Sequence, residues 1–233
     1  MLAVRRLTVA FMAAGGLLIA LGEPVSAAAP QEVRPSNAVR PEPPFKNAKP
    51  ATPDMLSKLL KKASTKEVDA HSAAPAGMPA AVIPPGPYYL SNTTATYSKC
   101  LDADKWPIDQ DGTKVQLWDC NGEPQQQWYF WHLNSNNYLI ANRHHGRILD
   151  ADLNEIGRDG AKVQLWRHIP GNLNQTWWLW TDGLGLYIQN NHPLANRRVI
   201  DVDTNGHGAN GTKIQLWTWN GENQQNWAGP PRP

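Results

Sequence analysis

Polar and apolar residues alternate in a five-residue segment that occurs three times along the chain. It reads KVQLW at 114–118, KVQLW at 162–166 and KIQLW at 213–217. In the first copy, Val115 and Leu117 share one face of the β-strand that the alternation predicts. Lys114, Gln116 and Trp118 share the opposite face. An Asp-Gly or Asn-Gly pair, typical of a tight turn, lies just before each copy.

Each segment belongs to a longer repeat. The three repeats read CLDAD at 100–104, DGTKVQLW and QQW at 126–128; ILDAD at 148–152, DGAKVQLW and QTW at 175–177; and VIDVD at 199–203, NGTKIQLW and QNW at 225–227. The aspartates at 102, 150 and 201 are 48 and 51 residues apart, so one supersecondary unit is repeated. About four strands fit in each unit, about twelve in all. A propeller needs four or more blades, so three units favour a threefold barrel with a hairpin cap.

These motifs resemble the three QxW repeats of ricin B-type lectin domains, β-trefoils that are grouped with the family 13 carbohydrate-binding modules. The resemblance covers residues 86–229 and implies an all-β, pseudo-threefold β-trefoil that binds carbohydrate. We expect the last Trp of each QxW motif to lie in the barrel core with the apolar residues of the repeats, since Trp brings a large apolar area. This set is Trp128, Trp177, Trp227, Leu101, Leu149, Ile200, Leu117, Leu165 and Leu216.

The resemblance also implies one sugar site in each repeat. Each site takes the Asp of the LDAD segment, the Gln and Trp of QLW, the residue before the QxW motif and the Gln of that motif. The second repeat has all the family's residue types: Asp150, Gln164, Trp166, Asn174 and Gln175. The first repeat has Asp102, Gln116, Trp118, Gln125 and Gln126, and the third has Asp201, Gln215, Trp217, Gln224 and Gln225. Gln125 and Gln224 replace Asn with a longer arm, which leaves the geometry of those sites open and ranks the second repeat first.

The chemistry of these side chains fits a sugar independently of the resemblance. A flat indole receives the apolar C–H face of a pyranose, while a carboxylate and carboxamides bond its rim of hydroxyls. Covering ~80–100 Å² of C–H surface contributes roughly 2–2.5 kcal/mol. With a few hydrogen bonds and the cost of association, the dissociation constant is ~1 mM. A polymer that engages two sites gains affinity. The alternative, that the Asp and QxW Gln residues only hold turns and strand pairs, stays open.

Composition divides the chain into segments. Residues 1–27 read as a secretory signal peptide, with Arg5 and Arg6 before an apolar run and a small-residue cleavage site. Residues 28–85, rich in Pro and Ala, read as a mostly disordered linker. They include a short helix near 53–63, either transient or docked on the domain or a membrane surface. The folded domain is predicted at 86–229 and a tail at 230–233. We therefore expect a secreted, extracellular protein with no membrane span once the signal is removed.

The charge of the chain argues against nucleic-acid binding, and its two cysteines indicate a disulfide. The net charge is +2, and no segment has the strongly basic face that nucleic-acid binding requires. Export favours a disulfide between Cys100 and Cys120. No cofactor or metal is expected: the calcium-like DVDTNG at 201–206 has Thr212 where a bidentate Glu is needed.

The sequence is consistent with three candidate functions. The first is a non-enzymatic lectin with up to three shallow sites for galactose- or xylose-type sugars or their polymers. The second is a protein-interaction trefoil that holds a partner such as a separate enzyme. A glycoside hydrolase is the weakest, because the acidic residues recur with the repeat whereas catalysis needs two carboxylates in different environments.

Overall fold

Strands account for most of the computed structural model, which describes residues 42–62, 86–92, 99–107, 110–206 and 208–228. Two short strands and a helix come before the repeats: β1 Lys49–Pro50, α1 Pro53–Leu59 and β2 Lys61–Lys62. The first repeat holds β3 Tyr88–Tyr89, β4 Ser91–Asn92, β5 Lys99–Ala103, β6 Thr113–Asp119 and β7 Gln127–Asn134. The second holds β8 Asn137–Asn142, β9 Ile148–Ala151, β10 Ala161–Trp166 and β11 Trp177–Thr181. The third holds β12 Leu186–Asn190, β13 Arg198–Val202, β14 Thr212–Thr218 and β15 Trp227–Ala228.

Short 3₁₀ turns lie between these strands. The last strand of each repeat follows such a turn: Pro124–Gln126, Leu173–Gln175 and Asn223–Gln225. Two more, Pro193–Ala195 and Thr204–Gly206, flank β13. The first three turns carry the residue before the QxW motif and its Gln, so this part of each motif approaches the following strand from a tight bend.

The first and last strands of the repeats close a barrel. β7 pairs with β3 and β8, β11 with β8 and β12, and β15 with β12 and β4. Because β3 and β4 are nearly continuous in the chain, the ring returns to its start. The middle strands form three hairpins, β5–β6, β9–β10 and β13–β14, and β6, β10 and β14 also pair with one another. A closed barrel with a threefold hairpin cap confirms the predicted β-trefoil.

The QxW tryptophans and the apolar face of each repeat fill the core, as predicted. All nine residues of the predicted core set are fully buried in one cluster. The indole N–H groups of Trp128, Trp177 and Trp227 donate to backbone carbonyl oxygens of their own repeats at 3.0, 2.9 and 3.3 Å. Those carbonyls belong to the apolar residue beside each site Asp. Each Trp therefore buries its ring without an unpaired donor and fixes the strand that carries the Asp.

Residues 42–62, which we call the arm, lie within the segment 28–85 that was predicted to be a mostly disordered linker, and they have regular structure. Lys49 pairs with Thr181 in β11, and the Lys61–Lys62 strand pairs with β3. Between them, α1 begins at the predicted N-cap, Thr52, whose hydroxyl accepts from the Met55 N–H at 3.3 Å. Leu56 is fully buried in the main core. The docked alternative therefore holds for this helix, because the domain supplies the apolar partner that a free short helix lacks.

Other predicted segments lie outside the described residues. These are the signal peptide at 1–27, the tail at 230–233, and the parts of the 28–85 segment on either side of the arm. No helix within the described ranges is long and apolar enough to span a bilayer. The predicted disulfide is present: Cys100 and Cys120 are bonded, with Cα atoms 5.1 Å apart. It ties β5 to the loop that follows β6.

Candidate functional site

Strand register brings the Asp and the QLW Gln of each repeat together. In the hairpin β9–β10, Asp150 lies directly opposite Gln164. The other two hairpins repeat this register, with Asp102 opposite Gln116 and Asp201 opposite Gln215. In each case the Gln amide donates to Oδ1 of the Asp, at 3.1, 3.1 and 3.0 Å in repeat order. Directly opposed residues on one face of a hairpin are close neighbours, so the repeated sequence pattern becomes a repeated side-chain pair.

The second repeat adds two further amides to its carboxylate. Asn174 Nδ2 donates to Asp150 Oδ2 at 2.8 Å and to the Ala151 carbonyl at 3.0 Å. Gln175 Nε2 donates to the same Oδ2 at 3.1 Å. All five predicted residues of this repeat are thus in one place, and four of them form a continuous hydrogen-bonded group around Asp150.

The QxW Gln is a support inside this group. Gln175 is fully buried, and it bonds the Arg167 carbonyl at 2.8 Å and the Ile169 N–H at 2.9 Å as well as Asp150. Gln126 and Gln225 are equally buried and make the corresponding bonds in their own repeats. These side chains tie the carboxylate to the loop after the QLW segment, so the structural interpretation holds for them.

The third repeat lacks the third amide donor, and in the first repeat that donor is shared. Gln125, in the position of Asn174, donates to Glu123 Oε2 at 3.1 Å and also hydrogen-bonds Asp102. Gln224 is half-buried, and its backbone carbonyl accepts from Asn92 at 3.0 Å. The longer Gln arm therefore changes the geometry at these two sites, which was left open from sequence.

The Trp of each QLW segment stands outside the core, unlike the QxW tryptophans. Trp118 and Trp217 are each 38% exposed, and Trp166 is half-buried. In the second repeat, Trp166 lines a cavity of about 510 Å³ with Asp150, Gln164 and Asn174. The strand that buries Leu165 points the next side chain outward, because successive residues alternate faces. An open aromatic face thus lies beside a carboxylate and two carboxamides.

The sequence that forms these three sites matches a known family. Residues 89–227 match the family described as the ricin-type beta-trefoil lectin domain. The chain belongs to this family. The match covers the three repeats and leaves the arm outside it. A comparison with curated proteins finds no match.

Solved structures resemble the same part of the chain. The designed threefold-symmetric protein ThreeFoil is 25% identical, with a TM-score of 0.53, and the match covers 60% of this chain and 96% of that one. An exo-β-1,3-galactanase from Clostridium thermocellum is 26% identical, with a TM-score of 0.53; the match covers 63% of this chain but 30% of the galactanase. The Rhizoctonia solani agglutinin, 19% identical with a TM-score of 0.51, shares the fold over 68% of this chain and its own full length.

In this lectin domain, each site is completed by a neighbouring repeat. Gly112, in the turn before β6 of the first repeat, lines the cavity of the second, and its N–H donates to the Leu165 carbonyl at 2.9 Å. A Cβ on Gly112, whose φ is +86°, would lie 3.9 Å from the Trp166 ring. Asp111 accepts from the Arg167 N–H at 2.7 Å and so holds the loop beyond Trp166. The turn residues therefore shape the wall of the next site as well as their own hairpin.

Burial perturbs the site carboxylates of the lectin domain. It raises the pKa of Asp150 to about 6 and that of Asp201 to about 6, although hydrogen bonds from the surrounding amides act in the opposite direction. Burial also raises the pKa of Asp102, again opposed by its Gln partners. Taking a carboxylate out of water disfavours its charged form, and the neutral amides only partly compensate.

Sequence analysis of the lectin domain missed part of the second cavity. Its wall includes Asp152, Leu153, Asn154, Lys162, Ile169 and Asn172 besides Gly112. Lys162 carried a signal, because a Lys occupies the same place in all three KVQLW-like segments. Its ammonium donates to the Gly112 carbonyl at 3.3 Å and therefore sits where two repeats meet. Asp152 also recurs, as the last Asp of the ILDAD segment, whereas Leu153, Ile169 and Asn172 lie in loops whose residues differ between repeats.

Proposed function

We propose that the chain is a secreted, non-enzymatic carbohydrate-binding protein whose principal sugar site is the cavity of the second repeat. The observation that carries this proposal is the partly exposed Trp166 beside the Asp150, Gln164 and Asn174 group in one open cavity. An indole face and a cluster of fixed polar atoms are complementary to the two sides of a pyranose.

The hydrogen-bond count indicates which sugar groups this site would take. Asp150 accepts three amide N–H groups, one at Oδ1 and two at Oδ2, which leaves acceptor capacity at Oδ1. Both N–H groups of the Asn174 amide are used, so its oxygen is the part that can meet a ligand. Gln164 keeps one N–H, and Lys162 keeps two of its three. The site therefore offers acceptors at its centre and donors towards Gly112, which suits a sugar that presents adjacent hydroxyls.

A galactose-type sugar is the first ligand class to test. The galactanase that the chain resembles over 30% of the galactanase's length acts, by its name, on β-1,3-linked galactose. Xylose-type sugars form the comparison set. Burial of one C–H face by Trp166 contributes roughly 2–2.5 kcal/mol, and with a few hydrogen bonds the expected dissociation constant is ~1 mM.

Two further features support the proposal of a secreted, non-catalytic protein. The buried carboxylates of the three repeats share a strand position and Gln partners, whereas glycoside hydrolysis needs a differentiated pair. The Cys100–Cys120 disulfide is typical of an oxidising compartment. Expression of the full chain, followed by mass measurement of the protein in the medium, should find it there without residues 1–27.

The test of the second site is a calorimetric titration of galactose, xylose and their β-linked disaccharides. We expect Trp166→Ala to weaken binding of the preferred sugar at least tenfold at this site, while Leu184→Ala, on a side chain 85% exposed, changes nothing. Unchanged affinity in a folded Trp166→Ala protein would exclude this assignment. A wild-type protein that binds no sugar but retains a protein partner would favour the interaction trefoil instead.

A further inference from the structure

The first and second repeats form the same turn after the strand that carries the site Asp. The backbone N–H groups of Asp104 and Asp152 donate across their hairpins to Lys carbonyls at 2.9 and 3.0 Å. The carboxylate of each Asp then accepts the N–H two residues on, that of Trp106 at 3.2 Å and that of Asn154 at 3.0 Å. The two loops thus share this hydrogen-bond pattern, and Trp106 has the position in the first turn that Asn154 has in the second.

In the second repeat, the structure shows what surrounds this position. Asn154 and its neighbour Leu153 both line the cavity that contains Trp166. Trp106 has the equivalent position in the first repeat, beside the first site. The Trp106 ring is 72% exposed, more than any other described tryptophan. Such exposure is unusual for Trp, which is highly buried on average.

The loop edge of the first site is also altered. Lys105, in the position of Leu153, forms an ion pair with Glu123, which is in the position of Asn172. Glu123 also accepts the Gln125 amide, so the amide in the position of Asn174 is shared between Glu123 and Asp102. The first site thus has a bridged polar edge and one more aromatic ring.

We propose that Trp106 is a second sugar-stacking residue, so that the first site binds two consecutive residues of a saccharide chain. One sugar would lie on Trp118 beside Asp102, and the next would lie against Trp106. This inference rests on the proposed function. It distinguishes the sites by ligand length: the second site takes a single sugar in its cavity, and the first site binds a linked pair.

The test isolates the first site. A Trp166→Ala/Trp217→Ala background removes the aromatic face of the other two sites while leaving the buried amide groups in place. In this background we expect β-1,3-galactobiose or xylobiose to bind about tenfold more tightly than the matching monosaccharide. Adding Trp106→Ala should abolish that preference and leave the monosaccharide affinity unchanged, while Trp106→Phe should retain most of it. Leu194→Ala, a distant exposed apolar side chain, is the control.

The outcomes separate the two proposals. If Trp106→Ala leaves the disaccharide preference intact, or if the background protein binds neither sugar while the wild type binds one, the role of Trp106 is refuted and the lectin function stands. If the folded wild-type protein binds no member of either sugar pair, the proposed function fails first. Near-ultraviolet circular dichroism confirms folding of each variant.

Discussion

Replacing Gln175 by Met would remove three hydrogen bonds while nearly preserving side-chain volume. The Gln175 amide bonds Asp150, the Arg167 carbonyl and the Ile169 N–H at 2.8–3.1 Å, and the side chain is fully buried. At about 1 kcal/mol for each bond, with part of the loss recovered by water at the exposed Arg167 loop, we expect Gln175→Met to cost about 2–3 kcal/mol.

Urea unfolding followed by tryptophan fluorescence measures this cost, with an unchanged m-value as the sign of an intact two-state transition. Trp166→Ala is the matched comparison, because that ring is partly exposed: it should cost less than about 1 kcal/mol in stability yet remove sugar binding. If Gln175→Met is within about 0.5 kcal/mol of wild type and still loses sugar affinity, Gln175 contacts the ligand and the supporting role argued here is wrong.

Three further predictions concern pH, the arm and the disulfide. With a pKa of about 6 for Asp150, sugar affinity at pH 5 should be about tenfold weaker than at pH 7.5, because the ionised carboxylate is the acceptor, and Asp150→Asn should flatten this profile. The same raised pKa makes this group's contribution to folding stability increase as pH falls from about 6 to about 4; Asp150→Asn should remove this contribution and leave that of Asp201, whose pKa is also about 6. Leu56→Ala should lower the free energy of unfolding by about 3 kcal/mol, and the exposed Lys58→Ala by less than about 0.5 kcal/mol; equal effects in chemical denaturation would contradict docking of the arm. Replacing Cys100 and Cys120 together by Ser should cost about 3 kcal/mol in the same assay, and no cost would mean that the bond is not formed in the native protein.

The barrel and its core follow from the sequence because one pattern is written three times. Trp128 and Leu117 are buried by alternation within a strand, and each of their equivalents repeats the same local rule. Local alternation combined with a fixed period determines which strand faces point inward. Closure of three such units leaves few alternative folds. Alternation also predicts that Trp166 points outward, and the resemblance to the lectin family implies its place beside Asp150; in the structure the two residues line one cavity.

The contacts between repeats could not be predicted from the sequence. Gly112 and Asp111 were read as a turn, yet they also form the wall and brace of the second site. That role arises from the mutual pairing of β6, β10 and β14, which no single repeat encodes. The amide chemistry of Gln175 likewise fits a ligand contact and a structural tie equally well, and its full burial with three internal hydrogen bonds favours the tie.

The arm shows a different limit. Its composition is that of a linker, and Leu56 and Leu60 offer too little apolar surface to fold alone. They become core residues because the barrel strands β11 and β3 present unpaired edges that Lys49–Pro50 and Lys61–Lys62 extend. The composition of a segment predicts whether that segment folds alone. Whether it docks on a domain depends on the strand edges and apolar surface that the rest of the chain leaves uncovered.

The central claim is that Trp166 and its polar neighbours receive a sugar. The most direct measurement is a titration of isotope-labelled protein with galactose and xylose, monitored by the NMR signals of the Trp166 indole N–H and the Gln164 amide. The account predicts saturable shifts at both groups near ~1 mM sugar, with the buried Trp177 unaffected. Shifts confined to other parts of the molecule, or none at tens of millimolar of any tested sugar, would contradict it.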